Sequence, residues 1–310
     1  MRKGTSPILL RIARLFQSIP PFFFTWIEIF FKKNYIKTYP LIILVSPPRS
    51  GSTLSYQLLS RGTRSLYFTN IWNLFYSLPI IGGLISKNNR NNRSNFTSDR
   101  GLVGGIYGEA EGLKFWRYWT SQGLEESNKT LPLRRIKYLR KVFGRLLSKD
   151  YPMVTAYLGH SFSINKLRKI FPGCMFIYLK RDKLSNIYSM LQTYKEFEQE
   201  RRNFNWMSLK PLGWKNKINE PILNKVIWQY NEIVKRIEND ILDNDTLIVQ
   251  YEEICENPKG FLQDVKSFAM RKNIDITLTL DNIPESFNVS QIKENENLDT
   301  KKISDLIKDE

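Results

Sequence analysis

Short, uninterrupted apolar runs recur along the middle of the chain. Residues 41–45, 174–179 and 246–250 form three such runs, rich in β-branched and aromatic side chains. Runs of this length without polar alternation are typical of strands that are buried on both faces of a parallel sheet. We therefore predict three strands of one central sheet.

Stretches with helical spacing of apolar residues lie between and after these runs. They predict helices over 52–60, 132–148, 163–171 and 221–240, and one that runs on from Arg181-Asp182 through 189 to 194. The helix at 132–148 is strongly basic. Strands that alternate with helices indicate an α/β fold, with a central parallel sheet covered by helices on both faces.

The chain is divided by its polar pattern into three parts. Residues 1–40 form a basic, aromatic and amphipathic segment, 41–270 the main domain, and 271–310 a polar tail with an acidic end. Residues 86–100 form a polar loop of low complexity within the domain. No linker interrupts 41–270, so we expect one domain there.

The N-terminal segment 8–31 is apolar but is not predicted to span a membrane. Its uncharged part, 15–27, is shorter than the roughly 18 residues that a spanning helix needs, and Pro20-Pro21 interrupt it. No small-residue cleavage site follows, which argues against a signal peptide. The amphipathic part either covers the domain's own core, the interpretation we favour, or makes a peripheral membrane contact.

Charge and cysteine content narrow the function classes. The formal net charge of +17 indicates an anionic partner: nucleic acid, a membrane surface, an anionic glycan or a phosphorylated small molecule. The two cysteines, Cys174 and Cys255, have no CxxC spacing and no histidine beside them, so neither a disulfide scaffold nor a zinc site is expected. A reduced, cytoplasmic setting is the default expectation.

A phosphate-sized loop follows the first strand, Ser46-Pro-Pro-Arg-Ser-Gly-Ser-Thr53. A helix that begins directly after a strand points its unpaired N–H groups and the positive end of its dipole at the turn. Gly51 allows close approach of a ligand, Ser50, Ser52 and Thr53 add hydroxyl groups, and Arg49 adds a permanent charge. The loop lacks the lysine of a Walker A motif, and no acidic residue is placed to hold Mg²⁺, so no metal is predicted.

This loop resembles the 5′-phosphosulfate-binding loop of sulfotransferases that use PAPS (3′-phosphoadenosine-5′-phosphosulfate). A second family element is a strand that ends in Arg with Ser eight residues later, and Arg181 and Ser189 match it. Segments at 170–173, 206–214, 228–231 and 249–258 are also similar to the family, so the resemblance covers about 41–265. It implies a P-loop-NTPase-like three-layer sandwich, donor binding by 49–53 with Arg181 and Ser189, and release of adenosine 3′,5′-bisphosphate.

The resemblance also implies in-line sulfuryl transfer, with positive groups on the sulfuryl oxygens and a base for the acceptor proton. Arg49 would serve the first role. His160 and Glu111 are alternative candidates for the base, and Glu109 is a weaker one. Two departures from the family pattern stand out: no lysine precedes His160, and Arg271-Lys272-Asn273 replaces a C-terminal Arg-Lys-Gly loop.

Two other functions compete with this prediction. A P-loop kinase or nucleotidase would need Mg²⁺ and a Walker lysine, whereas a non-catalytic basic module would explain the charge but not the two spaced phosphate motifs. The acceptor is a hydroxyl or amine compound such as a glycan or a small metabolite. The net charge mildly favours an anionic glycan, and we do not expect nucleic acid as a partner.

Overall fold

A computed structural model describes residues 21–24, 37–88, 96–98, 103–127, 129–200, 205–289 and residue 303. The N-terminal segment 8–31, apart from a short 3₁₀ turn at Pro21–Phe24, lies outside the described residues, and so does the middle of the polar loop 86–100. Within the described ranges, none of the helices combines the length and the apolar character needed to cross a bilayer.

Four parallel strands form the centre of the fold. They are β1 (Leu41–Val45), β2 (Met153–Thr155), β3 (Met175–Lys180) and β4 (Thr246–Gln250). The spatial order is β2-β1-β3-β4, and all three neighbouring pairs are parallel. The predicted parallel sheet is therefore confirmed.

Both faces of the sheet are buried along β1, β2 and β3, because alternate residues of these strands enter different cores, whereas Ile248 of the edge strand β4 is 49% exposed. In β1, Leu41, Ile43 and Val45 pack into one cluster, which also contains Trp72, Trp116 and Phe143. Ile42 and Leu44 pack into the other cluster, with Leu58, Leu262 and Val265. This two-sided burial explains why the strands read as continuous apolar runs rather than as an alternating pattern.

The helices that cover these faces connect the strands. In chain order they are α1 (Ser52–Gly62), α2 (Asn70–Leu74), α3 (Pro79–Asn88), α4 (Leu113–Thr120), α5 (Leu133–Leu146), α6 (Ile164–Ile170), α7 (Lys183–Glu200), α8 (Ile222–Asp240), α9 (Tyr251–Glu256) and α10 (Pro258–Arg271). Two further 3₁₀ turns occupy Leu158–Phe162 and Trp214–Lys217. The three-layer α/β arrangement follows from helices packed on both sides of one sheet.

The chain beyond α10 continues to pack on the domain. Ile274, Ile276 and Ile283 are buried in the second core cluster. The Phe287 backbone N–H donates to the Cys255 carbonyl at 2.7 Å. The first part of the polar C-terminal segment is thus bound to the surface of α9 and α1 rather than separate from it.

Candidate active site

A cleft of about 840 Å³ opens at the carboxyl ends of β1 and β3. This edge is where ligands bind in open α/β sheets, because helix N-termini and strand ends converge there. The cleft is lined by the loop after β1, by one face of α7, and by Glu111, Leu158 and the segment 207–208.

The loop after β1 is shaped by Gly51. This residue has φ +85°, in the left-handed region, and a Cβ atom there would lie 2.1 Å from Cδ2 of the Tyr251 ring. Glycine is therefore required both by the backbone conformation and by the close approach of the tyrosine. No side chain caps α1, so its first N–H groups are left for a ligand in the cleft.

Arg49, Arg181 and Ser189 meet in the wall of this cleft. Arg49 Nε donates to Ser189 Oγ at 3.2 Å, and Arg181 Nη1 donates to the Arg49 carbonyl at 2.9 Å. The structure thus brings together the two phosphate motifs, although more than 130 residues separate Arg49 from Arg181 in sequence. Desolvation and the neighbouring Arg181 charge lower the pKa of Arg49.

The other predicted donor-binding residues divide between the cleft and the core beneath it. Ser52 and Thr53 line the cleft at the start of α1. Ser50 is fully buried instead: its hydroxyl donates to the Pro47 carbonyl at 3.0 Å and lies 2.7 Å from the side-chain amide of Asn186. Its side chain therefore fastens the loop to α7 and does not face the cleft.

Tyr251 and the polar face of α7 also line the cleft, although the sequence did not predict them as site residues. The Arg181 guanidinium lies over the Tyr251 ring at 5.1 Å, so the ring supports both Arg181 and the turn at Gly51. Ser185, Gln192 and Thr193 lie one turn from Ser189 on either side. Helical spacing from Ser189 is the signal that could have identified these three residues.

Glu111 is one of the residues that line the cleft. It forms no hydrogen bond or ion pair with another described residue, and burial raises its pKa to about 7. The neighbouring Glu109 differs, because its Oε1 accepts from Arg61 Nε at 2.6 Å and from Ser60 Oγ at 3.2 Å. Of these two neighbours, Glu111 lines the cleft and Glu109 belongs to a buried ion pair.

His160 is enclosed in the core. It is 0% exposed, and it is absent from the described residues that line the cleft. Nδ1 lies 3.0 Å from Gln122 Oε1 and Nε2 lies 3.2 Å from Thr155 Oγ1, while the ring packs edge-on against Trp116 at 4.6 Å. Burial lowers its pKa to about 3, so the ring is neutral at physiological pH. The structure does not bring His160 together with Arg49, Arg181 and Glu111.

In the described part of the chain, no group of three or more His, Cys, Asp or Glu side chains is arranged to hold a metal ion.

The chain was compared with known proteins. A profile described as the sulfotransferase family matches residues 40–271. Among solved structures, sulfotransferase STF9 from Mycobacterium avium is similar with a TM-score of 0.52 and 13% identity, covering 88% of this chain and 77% of that one. A sulfotransferase from Alicyclobacillus acidocaldarius gives a TM-score of 0.41 and 14% identity, with 88% and 97% covered.

No match was found among curated proteins. At 13% identity the similarity to STF9 supports the fold alone, a P-loop-like α/β architecture. The family profile spans most of the chain, from the residue before β1 to the end of α10. It includes both phosphate motifs that meet in the cleft, and this protein therefore belongs to the sulfotransferase family.

Proposed function

We propose that this protein transfers a sulfuryl group from PAPS to a hydroxyl or amine group of an acceptor. The observation that carries the proposal is the direct contact between the two phosphate motifs, through Arg49 Nε to Ser189 Oγ and Arg181 Nη1 to the Arg49 carbonyl. One cleft thereby holds two arginines, several hydroxyl groups and the open N-terminus of α1. A nucleotide with phosphates at both its 3′ and 5′ positions fits this distribution of donors.

The two groups of donors would bind different ends of the nucleotide. Arg181 and Ser189 are proposed to bind the 3′-phosphate, because a guanidinium forms paired, charge-assisted hydrogen bonds with phosphate oxygens. Ser52, Thr53 and the first N–H groups of α1 are proposed to bind the 5′-phosphosulfate. Arg49, whose Nε donates to Ser189 Oγ, is proposed to stabilise charge that develops on the bridging oxygen.

Glu111 is proposed as the general base. The acceptor oxygen or nitrogen would bond to sulfur while the bond from sulfur to the phosphate oxygen breaks, and the acceptor proton would pass to the Glu111 carboxylate. Adenosine 3′,5′-bisphosphate would leave with the electron pair. A base with a pKa of about 7 is well matched to proton transfer near neutral pH.

His160, the alternative base, is less well placed for this role. Both its ring nitrogens lie within hydrogen-bonding distance of buried partners, Gln122 and Thr155, and its depressed pKa makes it a weak base. We propose that it instead fixes the turn Leu158–Phe162, whose Leu158 lines the cleft.

The proposed acceptor is a glycan or a small metabolite, and the proposed location is the cytoplasm. The net charge of +17 is the reason to include anionic glycans beside small metabolites in an acceptor panel. Cys174 and Cys255 are buried free thiols, which is compatible with the proposed cytoplasmic location.

The experiment is sulfate transfer from PAPS to that panel, detected by mass, with wild type, Glu111→Gln and His160→Gln. We expect the Glu111 variant to lose about 100-fold or more in kcat while it still binds adenosine 3′,5′-bisphosphate. The folded His160 variant should keep most of its kcat. Loss of turnover in His160→Gln with normal nucleotide binding, and retention in Glu111→Gln, would reverse the assignment of the base. No transfer by the wild type to any acceptor, without nucleotide binding, would argue against the function itself.

A further inference from the structure

One strongly basic stretch of this protein contains a helix that the proposed reaction does not use. Between residues 127 and 180 there are twelve Lys or Arg residues and one acidic residue, Asp150, which gives +11 of the chain's +17. Helix α5 lies in this stretch and contains six of the twelve but no Asp or Glu. None of the described residues that line the cleft belongs to α5, so this charge is not explained by donor binding.

The six cations of α5 have two different roles. Arg135 and Arg140 point into the structure: Arg135 Nη1 donates to the Tyr118 carbonyl at 3.1 Å, and Arg140 Nε donates to the Ile170 carbonyl at 2.9 Å. The other four are Arg134, Lys137, Lys141 and Arg145, which we call the basic stripe. Arg134, Lys137 and Lys141 are exposed and form no hydrogen bond or ion pair with another described residue.

Helical geometry aligns the basic stripe. Its members are spaced by three or four residues, so they lie on one face of α5 over a length of about 16 Å. The opposite face is fixed, because Leu139, Val142, Phe143 and Leu146 are fully or almost fully buried in the core. Arg134, Lys137 and Lys141 therefore form a row of cations that points away from the domain, whereas Arg145 at the end of the stripe is half-buried.

An apolar side chain extends from the same end of the helix. Leu133 directly precedes Arg134 and is 63% exposed, the highest value among the large hydrophobic residues described. A linear polyanion would be bound by the cations alone and would leave Leu133 in water. The interface of a bilayer accepts an apolar side chain beside Lys and Arg, and anionic headgroups attract each cation by about 1 kcal/mol.

We propose that the basic stripe of α5, together with Leu133, docks this protein on the surface of an anionic lipid bilayer. The contact is peripheral and electrostatic. It is independent of the N-terminal segment and of the chemistry in the cleft.

The test is co-sedimentation of the full chain with vesicles of phosphatidylcholine, with and without about one third phosphatidylglycerol. We expect binding to the anionic vesicles only, and weakening by added salt. The triple variant R134Q/K137Q/K141Q should lose about 100-fold in partitioning, at about fivefold for each cation. The matched control K215Q/K235Q/R271Q removes the same charge from exposed cations elsewhere and should stay within about twofold of wild type. Leu133→Ser should also weaken binding.

Three results would overturn this proposal. The first is that the wild-type protein does not bind anionic vesicles, even if it binds heparin or DNA through the same stripe. Another is an equal loss in both triple variants, which would assign binding to net charge alone. The last is normal vesicle binding by the stripe variant. Circular dichroism and adenosine 3′,5′-bisphosphate binding check that each variant is folded. A variant that binds the nucleotide but not the vesicles has lost membrane docking alone, so failure of the docking proposal can be distinguished from failure of the proposed reaction.

Discussion

Glu111 carries the most specific chemical expectation at the scale of single residues. Its pKa of about 7 means that a large fraction of the carboxyl groups is protonated at neutral pH, and only the carboxylate accepts a proton. We therefore expect kcat to fall about tenfold per pH unit below pH 7 and to level off above it. A profile of kcat against pH at saturating PAPS measures this acidic limb, the part of the curve below pH 7. In Glu111→Gln the same limb should disappear, whereas an unchanged profile would show that another group titrates.

Single residues were also the hardest feature to predict from the sequence. Arg49, Arg181 and Ser189 were predicted as parts of one site from the resemblance to the family, and the structure brings them together. His160 and Glu111 could not be distinguished, since each is a titratable residue beside a predicted element. Access to the cleft separates them: His160 is enclosed with partners at both nitrogens, and Glu111 borders the cleft. Such access depends on tertiary packing that no local pattern contains.

At the scale of elements, the turn between β1 and α1 depends on Gly51. An alanine there would occupy a left-handed conformation and place its Cβ against the Tyr251 ring. We expect Gly51→Ala to weaken binding of adenosine 3′,5′-bisphosphate by at least about tenfold, because the N–H groups of α1 would shift. Gly104→Ala is the matched control, since nothing lies within 4 Å of a Cβ there. Equal affinities of the two variants, measured by calorimetry, would contradict this role of Gly51.

The elements themselves were largely predictable. β1 and β4 were predicted with the bounds observed. Two-sided burial makes β1 a continuous apolar run, whereas the edge strand β4 was recognised by its β-branched residues although Ile248 is 49% exposed. β2 was missed: it has only three residues, Met153–Thr155, too few for a periodic pattern. Helix α7 runs to Glu200, beyond the predicted 194, because polar side chains on its cleft face obscure the apolar spacing.

At the scale of the whole molecule, the segment after α10 contributes to the main core. Ile276 is 0% exposed and packs in the cluster that contains β1 and α10 residues. Ile276→Ala should lower the free energy of unfolding by about 2–4 kcal/mol, since it leaves a cavity. Denaturant melts measure the change, with the half-exposed Leu242→Ala as a control that should change by less than about 0.5 kcal/mol. A loss below about 1 kcal/mol for Ile276→Ala would show that the segment is dispensable.

The central claim is that one nucleotide bridges both phosphate motifs, and calorimetry tests it most directly. Adenosine 3′,5′-bisphosphate and 5′-AMP, which lacks the 3′-phosphate, are titrated into wild type and Arg181→Ala in the presence of a chelator. Wild type should bind the bisphosphate at least about 30-fold more tightly, the value of a charge-assisted pair, and Arg181→Ala should abolish most of this preference. Equal affinity of the wild type for the two nucleotides, or no binding of either, would contradict the account.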